Sequence, residues 1–219
     1  ANVMHNSATI NLNVAHEAIK QKVKRIFYSS SACMYPEHNQ LDPNNPNCEE
    51  SSAYPANPDS EYGWEKLMSE RLYLSYKRNY GLNVKIARYH NIFGPRMGFE
   101  HVIPEFCKRI FDNEAPFKIF GGDNTRAFCY IDDAVQATVA VMRNASCNGE
   151  VIHVGNSKEE VAIADLAKLM LDIAGKNTAL KIENAPDGSV QRRCPDTTKL
   201  HKTTGFEAHI SLKEGVAKS

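Results

Sequence analysis

The chain has no apolar run approaching the roughly 18 residues a helix needs to cross a bilayer. Its opening, ANVMHNSATINLNV, has no charged stretch leading into an apolar one. Neither a membrane span nor an export signal is therefore expected. Charge of one sign is also missing. Lys and Arg number 26 and so do Asp and Glu, which gives no general electrostatic case for nucleic acid or an anionic membrane as a partner. The six cysteines, Cys33, Cys48, Cys107, Cys129, Cys147 and Cys194, form no Cys-x-x-Cys. They read as reduced thiols of a cytoplasmic protein, with no metal site. What is there is ordinary for a globular chain: 219 residues, 42% apolar, enough to build a substantial core.

Along the chain, strands alternate with helices, the pattern of a layered α/β domain with a parallel sheet. Ala8, Leu12, Ala15 and Ile19 recur at helical steps from the first residues onward, so the opening reads as the middle of a helix. VKRIFYSSSACMY is a β-prone run ending in small polar residues, and the Pro-, Asn- and Ser-rich segment after it is a long loop of the functional kind. Asp59 or Ser60 can cap the next helix, whose apolar positions are Trp64, Leu67, Met68, Leu72 and Tyr76. Gly81 stops it, a strand runs through Val84, Ile86 and Ala87, and a turn follows at Gly94–Pro95. Further elements are a helix over 104–111, strands FKIF, RAFCYI and EVIHVGN, a helix from Asp132 and Asp133, and another in IADLAKLMLDIAG closed by Gly175.

The stretch YGWEK sets Tyr62 and Lys66 one helical turn apart, and YLSYK repeats the spacing with Tyr73 and Lys77 on the same helix. Spacing alone does not choose between them. Four clusters in order do: SSSACMY, YGWEK, ARYHNIFGP and GGDNTRAFCYIDD. Together they resemble the extended short-chain dehydrogenase/reductase family, in particular its NAD-dependent nucleotide-sugar epimerases and dehydratases, across nearly the whole chain. The resemblance implies a Rossmann-like doubly wound parallel sheet and makes Ser31, Tyr62 and Lys66 the catalytic triad. A lysine ammonium one turn from a phenol favours the phenolate, and Ser31 can hold the sugar hydroxyl being deprotonated.

By the same resemblance Ser29, Tyr89 and His90 lie with Tyr62 and Lys66 on the NAD side. His90 is otherwise a satisfied core histidine. Asn91, Arg126, Arg193 and the backbone around Lys118 and Phe120 meet the nucleotide-diphosphate sugar, GDP- or UDP-linked. A diphosphate is best met by planar guanidinium donors. Arg126 could instead pair with Asp132 or Asp133, and Arg192 competes with Arg193. The family's dehydratases carry an Asp-Glu pair where this chain has Ala32 and Cys33. Cys33 instead resembles the branch that inverts C3 and C5 of a GDP-linked sugar through a transient C4 ketone. There a thiol exchanges protons with the acidified carbons. That branch places a lysine opposite, and His101 stands at the corresponding place. It is either the opposing acid/base or a loop residue. The alternatives are simple C4 epimerisation, C4 oxidation without return of hydride, and a non-catalytic nucleotide-sugar-binding homologue.

None of the twelve glycines has the family's Gly-x-x-Gly-x-x-Gly spacing, which brings backbone to a dinucleotide pyrophosphate. The expectation is that the first βαβ portion is missing. On that expectation 1–95 is the later part of the NAD-binding domain and 96–219 is mainly a smaller C-terminal α/β nucleotide-sugar region, with 126–155 returning partly to the Rossmann sheet. The helix bearing Tyr62 also serves dimer contacts in the family, so a homodimer is expected, with Leu72 and Tyr76 either in that contact or in the core.

Overall fold

The computed structural model describes all 219 residues. Helix α1 (Asn2–Lys20) leads into β1 (Ile26–Ser31). A loop with three short 3₁₀ turns, Ala32–Met34, Glu37–Asn39 and Glu50–Ala53, connects β1 to α2 (Glu61–Tyr80). Then come β2 (Val84–Tyr89), β3 (Ile92–Phe93), α3 (Val102–Phe111), β4 (Phe117–Phe120), β5 (Thr125–Ala127), β6 (Cys129–Tyr130) and α4 (Ile131–Arg143). The chain continues through β7 (Val151–Val154), β8 (Glu160–Ala162), α5 (Ile163–Ile173), β9 (Leu180–Glu183), β10 (Arg192–Arg193), α6 (Thr198–Thr204) and α7 (Leu212–Lys218).

The main sheet is parallel in the order β1-β2-β7. Parallel strands need crossovers that cover both sheet faces, so the middle strand is buried along nearly all its length. Even its charged residues are inside. Lys85 donates Nζ to the carbonyls of Val141, at 3.1 Å, and Asn144, where α4 ends. Arg88 forms a bidentate pair with Glu70 of α2, at 2.9 and 2.7 Å. Smaller sheets follow: β3 with β6, β4 with β9, and β10-β5-β8. The largest apolar cluster joins α3, β4 and α5 through Phe106, Phe117, Ile119 and Leu166. Each such side chain, fully buried, contributes about 1.5–3 kcal/mol.

Three sequence expectations need correcting. RAFCYI is two strands, because β5 pairs with β10 and β8 while β6 crosses to β3, with Phe128 between them. The buried face of α2 carries Glu65, Ser69, Glu70 and Tyr73 beside Leu67, whereas Trp64 and Met68 are exposed. Polar partners cross to that face: Asn11 donates to Glu65 and Ser69 and accepts from Tyr73 at 3.0 Å. The buried Tyr73 is thus a packing residue. Gly175 lies two residues past the end of α5, at φ 66, with Ala174 as the cap. Of the two cap candidates for α2, Ser60 takes the role, accepting from the Gly63 N–H.

Candidate active site

Where β1 ends, the chain turns sharply through Ala32–Met34, and the Ser31 hydroxyl accepts from the Cys33 N–H at 3.2 Å. This small-residue turn delivers Ser31 and Cys33 together to the carboxyl edge of the parallel sheet. Helix α2 approaches the same turn closely. A Cβ at Gly63 would lie 2.3 Å from the Cys33 carbonyl oxygen, so only glycine lets the first turn of α2, and Tyr62 with it, sit against that strand end.

Beside the turn lies a cavity of about 430 Å³. Ser31, Cys33, Tyr89, Asn91, His101, Arg126 and Arg193 line it together with apolar side chains that include Phe93, Met97 and Phe128. Seven of the sequence-predicted residues thus converge from five parts of the chain. Asn91 adopts the left-handed conformation at φ 43, which asparagine tolerates better than most residues, and donates Nδ2 to the Ala127 carbonyl at 3.1 Å. It links β2 to the strand bearing Arg126. His101 is an exposed residue capping the start of α3.

The two arginines define the electrostatics. Arg126 and Arg193 are direct partners in the parallel β5–β10 pairing. Neither forms an ion pair with a carboxylate. Arg126 donates to the carbonyls of Thr125 and Val190, both at 2.7 Å, so it does not pair with Asp132 or Asp133. Burial, and then the neighbouring Arg193 charge, push Arg126 down to about 10, which leaves it charged at neutral pH. Arg193 donates Nε to Gln40 Oε1 at 2.7 Å, and its Nη1 lies 3.8 Å from Cys33 Sγ. Arg192 turns the other way into a bidentate pair with Glu160, at 2.8 and 2.7 Å. The competition between the two consecutive arginines is resolved by geometry: Arg193 faces the cavity.

Tyr62 and Lys66 do not line the cavity but stand beside it on α2. Lys66 Nζ donates to the Ser29 carbonyl at 3.0 Å and lies 5.5 Å from the centre of the Tyr62 ring and 5.1 Å from that of Tyr28. The expected lowering of the phenol is not present in this arrangement. Burial raises Tyr62, with the Ser31 hydroxyl pulling it down and Cys33 and Glu65 adding to the rise. The ammonium sits over the Tyr62 ring as a cation–π partner and makes no hydrogen bond to its hydroxyl.

His90 does not reach the cavity. It is fully buried, its ring 4.5 Å from that of His153, and neither ring nitrogen has a hydrogen-bond partner. It is a core histidine, but not a satisfied one. Lys118 and Phe120 are exposed on β4, away from the cavity. The Lys118 N–H bonds Glu114 at 3.2 Å and its carbonyl accepts from Arg109.

Behind the cavity lies a network that sequence reasoning missed. The Tyr35 hydroxyl takes a bond from Arg88 Nη1 at 2.8 Å, contacts His153 Nε2 and lies 3.1 Å from the Glu49 carbonyl. Arg88 also donates to the Glu50 carbonyl at 2.7 Å, and His153 Nδ1 bonds the Asp196 carbonyl at 2.9 Å. Burial and the adjacent Arg88 charge drive His153 down to about 3. Only ARYHN, which contains Arg88, hinted at any of this. No group of three or more His, Cys, Asp or Glu side chains is placed to hold a metal ion, and no helix is long and apolar enough to cross a membrane.

The parallel β1-β2-β7 sheet, with Ser31 and Cys33 at the carboxyl end of β1, makes this a Rossmann-like α/β protein, and the neighbouring β10-β5-β8 sheet brings two arginines without a carboxylate partner to the same cleft. The chain belongs to the NAD dependent epimerase/dehydratase family, whose model matches residues 1–155. It is 33% identical to GDP-mannose 3,5-epimerase of Arabidopsis thaliana, with 98% of this chain and 57% of that protein aligned. Among solved structures it resembles UDP-glucuronic acid 4-epimerase from Bacillus cereus in complex with UDP-glucuronic acid and NAD. There the TM-score is 0.85 at 26% identity, over 97% of this chain and 65% of that one. A UDP-glucose 4-epimerase from Thermotoga maritima with UDP-glucose gives 0.83 at 29% identity, over 94% and 65%. The chain therefore spans 57% of the length of the curated relative and 65% of each of these two structures.

Proposed function

We propose that this chain carries the catalytic and sugar-nucleotide-binding part of an NAD-dependent epimerase. It acts on a nucleotide-diphosphate sugar through a transient C4 ketone, in the manner of GDP-mannose 3,5-epimerase. The observation that carries this reading is the cavity where Ser31, Cys33, His101, Arg126 and Arg193 meet with no carboxylate to neutralise the arginines. Two guanidinium groups held side by side favour a ligand with two negative charges, and a diphosphate supplies them. Arg126 and Arg193 bind the diphosphate, and Asn91 positions the sugar nucleotide between them and Ser31.

The donor set beside the cavity also fits NAD at its nicotinamide-ribose end. Lys66 uses one of its three N–H donors on Ser29, and Tyr62 is exposed on α2. When bound, NAD supplies reversible acceptance of the C4 hydrogen with its electron pair. Tyr62 removes the C4 hydroxyl proton while Ser31 orients that hydroxyl. The ketone so formed acidifies C3 and C5. Cys33, acting as the thiolate, takes a proton from one face of the sugar, so that negative charge passes from the sulfur to the enolate, with the Arg193 guanidinium beside the sulfur. His101, also lining the cavity, returns a proton to the other face.

The proposal divides the chain at residue 95 into a Rossmann part and a mainly sugar-nucleotide part, with β6, α4 and β7 contributing to the former. It includes a homodimer through α1 and α2, where Trp64 and Met68 are exposed. Light scattering that finds only monomer would remove that element alone. The reaction is tested by incubating the protein with NAD and GDP-mannose in deuterated water. Deuterium at C3 and C5 is expected. Inversion at C4 without deuterium would assign simple C4 epimerisation, accumulating NADH a dehydrogenase, and binding without turnover a non-catalytic homologue.

A further inference from the structure

Gln40 is 1% exposed, in the middle of a loop otherwise dense in Pro and Asn. A glutamine this deep must satisfy its amide, and it does so at both ends. Its Nε2 donates to the Tyr35 carbonyl at 2.9 Å, and its Oε1 accepts from Arg193 Nε at 2.7 Å. Its backbone carbonyl takes the N–H groups of Gln191, at 2.8 Å, and Arg192, at 3.1 Å. One residue thus clamps the turn after Cys33 to the strand that carries the arginines.

The choice of partner along that strand is telling. Arg192 and Arg193 are consecutive and project to opposite sides, as strand residues do. The one facing away from the cavity is met by the carboxylate of Glu160 and the one facing into it by a neutral amide. An amide oxygen accepts the same Nε–H bond a carboxylate would, so the guanidinium is oriented equally well. It adds no counter-charge, so the positive charge stays available to a ligand. Using Nε for the anchor leaves the terminal nitrogens facing the cavity, where Nη1 already lies 3.8 Å from Cys33 Sγ. Holding a long side chain in its binding rotamer beforehand also reduces the ordering cost when the ligand arrives.

We propose that Gln40 is a positioning residue. It holds the Arg193 guanidinium toward Cys33 and the diphosphate with its charge uncompensated. This role rests on the assignment of Arg193 to an anion in the preceding section.

The test is calorimetric titration of GDP into the full chain and into Gln40→Glu, Gln40→Met, Arg193→Met and the two combinations with Arg193→Met, with thermal unfolding of each. Gln40→Glu places a carboxylate on Arg193 and is expected to weaken GDP binding tenfold or more. Gln40→Met keeps the volume but removes the anchor, with an expected loss of threefold or more. On the Arg193→Met background neither change is expected to alter the remaining affinity by more than twofold. A merely structural glutamine would not depend on its partner in this way. Wild-type affinity in the Gln40 variants, or losses that persist without Arg193, would overturn the proposal. Should Gln40→Glu not fold, Gln40→Met carries the same comparison. Wild-type affinity in Arg193→Met would instead refute the anion assignment itself. That result differs from the one in which Arg193 matters and Gln40 does not.

Discussion

Three arginines lie on strands at or beside the cavity, Arg88 on β2, Arg126 on β5 and Arg193 on β10, and they are treated in opposite ways. Behind the cavity Arg88 is enclosed, paired bidentately with Glu70 and bonded to Tyr35 and the Glu50 carbonyl. Inside the cavity Arg126 and Arg193 are bonded only to carbonyl and amide oxygens, with a sulfur nearby. Burial is costly for any charge, and a carboxylate is the usual compensation. Where the carboxylate is present the arginine is held within the protein; where it is absent, the proposed function assigns the arginine to a ligand. The contrast separates two environments of one residue type without reference to any relative.

The comparison is sharpened first by breaking the matched pair. Glu70→Ala leaves the Arg88 charge buried and unpaired and should cost about 3–5 kcal/mol, measured by urea unfolding. Removing the unmatched charge should do the reverse to stability. Arg126→Met should leave unfolding free energy within about 0.5 kcal/mol or raise it, since the charge it removes is uncompensated. The same variant should weaken GDP binding roughly tenfold or more, the worth of a charge-assisted hydrogen bond. A large destabilisation by Arg126→Met would dissolve the distinction.

Acidification probes the wall from another side. His153 is held down to about 3 and His90 is also pushed well down, in each case chiefly by burial. An unfolded histidine binds a proton near pH 6.5, so between that value and the folded one only the unfolded state is protonated and stability falls as pH falls. From pH 7.5 to 5 the loss should be about 2–4 kcal/mol for the two together. The smallest effect is expected at His90 itself. His90→Leu removes two unpartnered ring nitrogens and should change stability at pH 7.5 by no more than about 1 kcal/mol in either direction. It should also flatten the acid slope, read from urea unfolding across the pH range.

Much of the cavity was legible in the sequence because several of its residues belong to short ordered clusters and the others were placed by the family resemblance those clusters carry. Ser31, Cys33, Asn91 and Arg126 from the clusters, and His101 and Arg193 from the resemblance, all lie around one opening. The choice between Arg192 and Arg193 was not legible, since it depends on Glu160 and Gln40, 32 and 153 residues away. Tyr35 and His153 were invisible for the same reason: their contact joins residues 118 apart, and no local pattern encodes it. Helix α2 misled periodicity because its buried face is polar, with Glu65 and Ser69 bonded by Asn11 and Glu70 by Arg88. RAFCYI read as one strand because strand propensity does not record that adjacent short segments pair with different sheets. The spacing of Tyr62 and Lys66 located the helix correctly but did not reveal where on the ring the ammonium would sit.

The most direct measurement is a crystal structure of the chain with a nucleoside diphosphate bound. The account expects phosphate oxygens within hydrogen-bond distance of both Arg126 and Arg193, with Gln40 still on Arg193 Nε. A diphosphate bound elsewhere on the chain, with the two guanidinium groups bridged by protein groups alone, would contradict it.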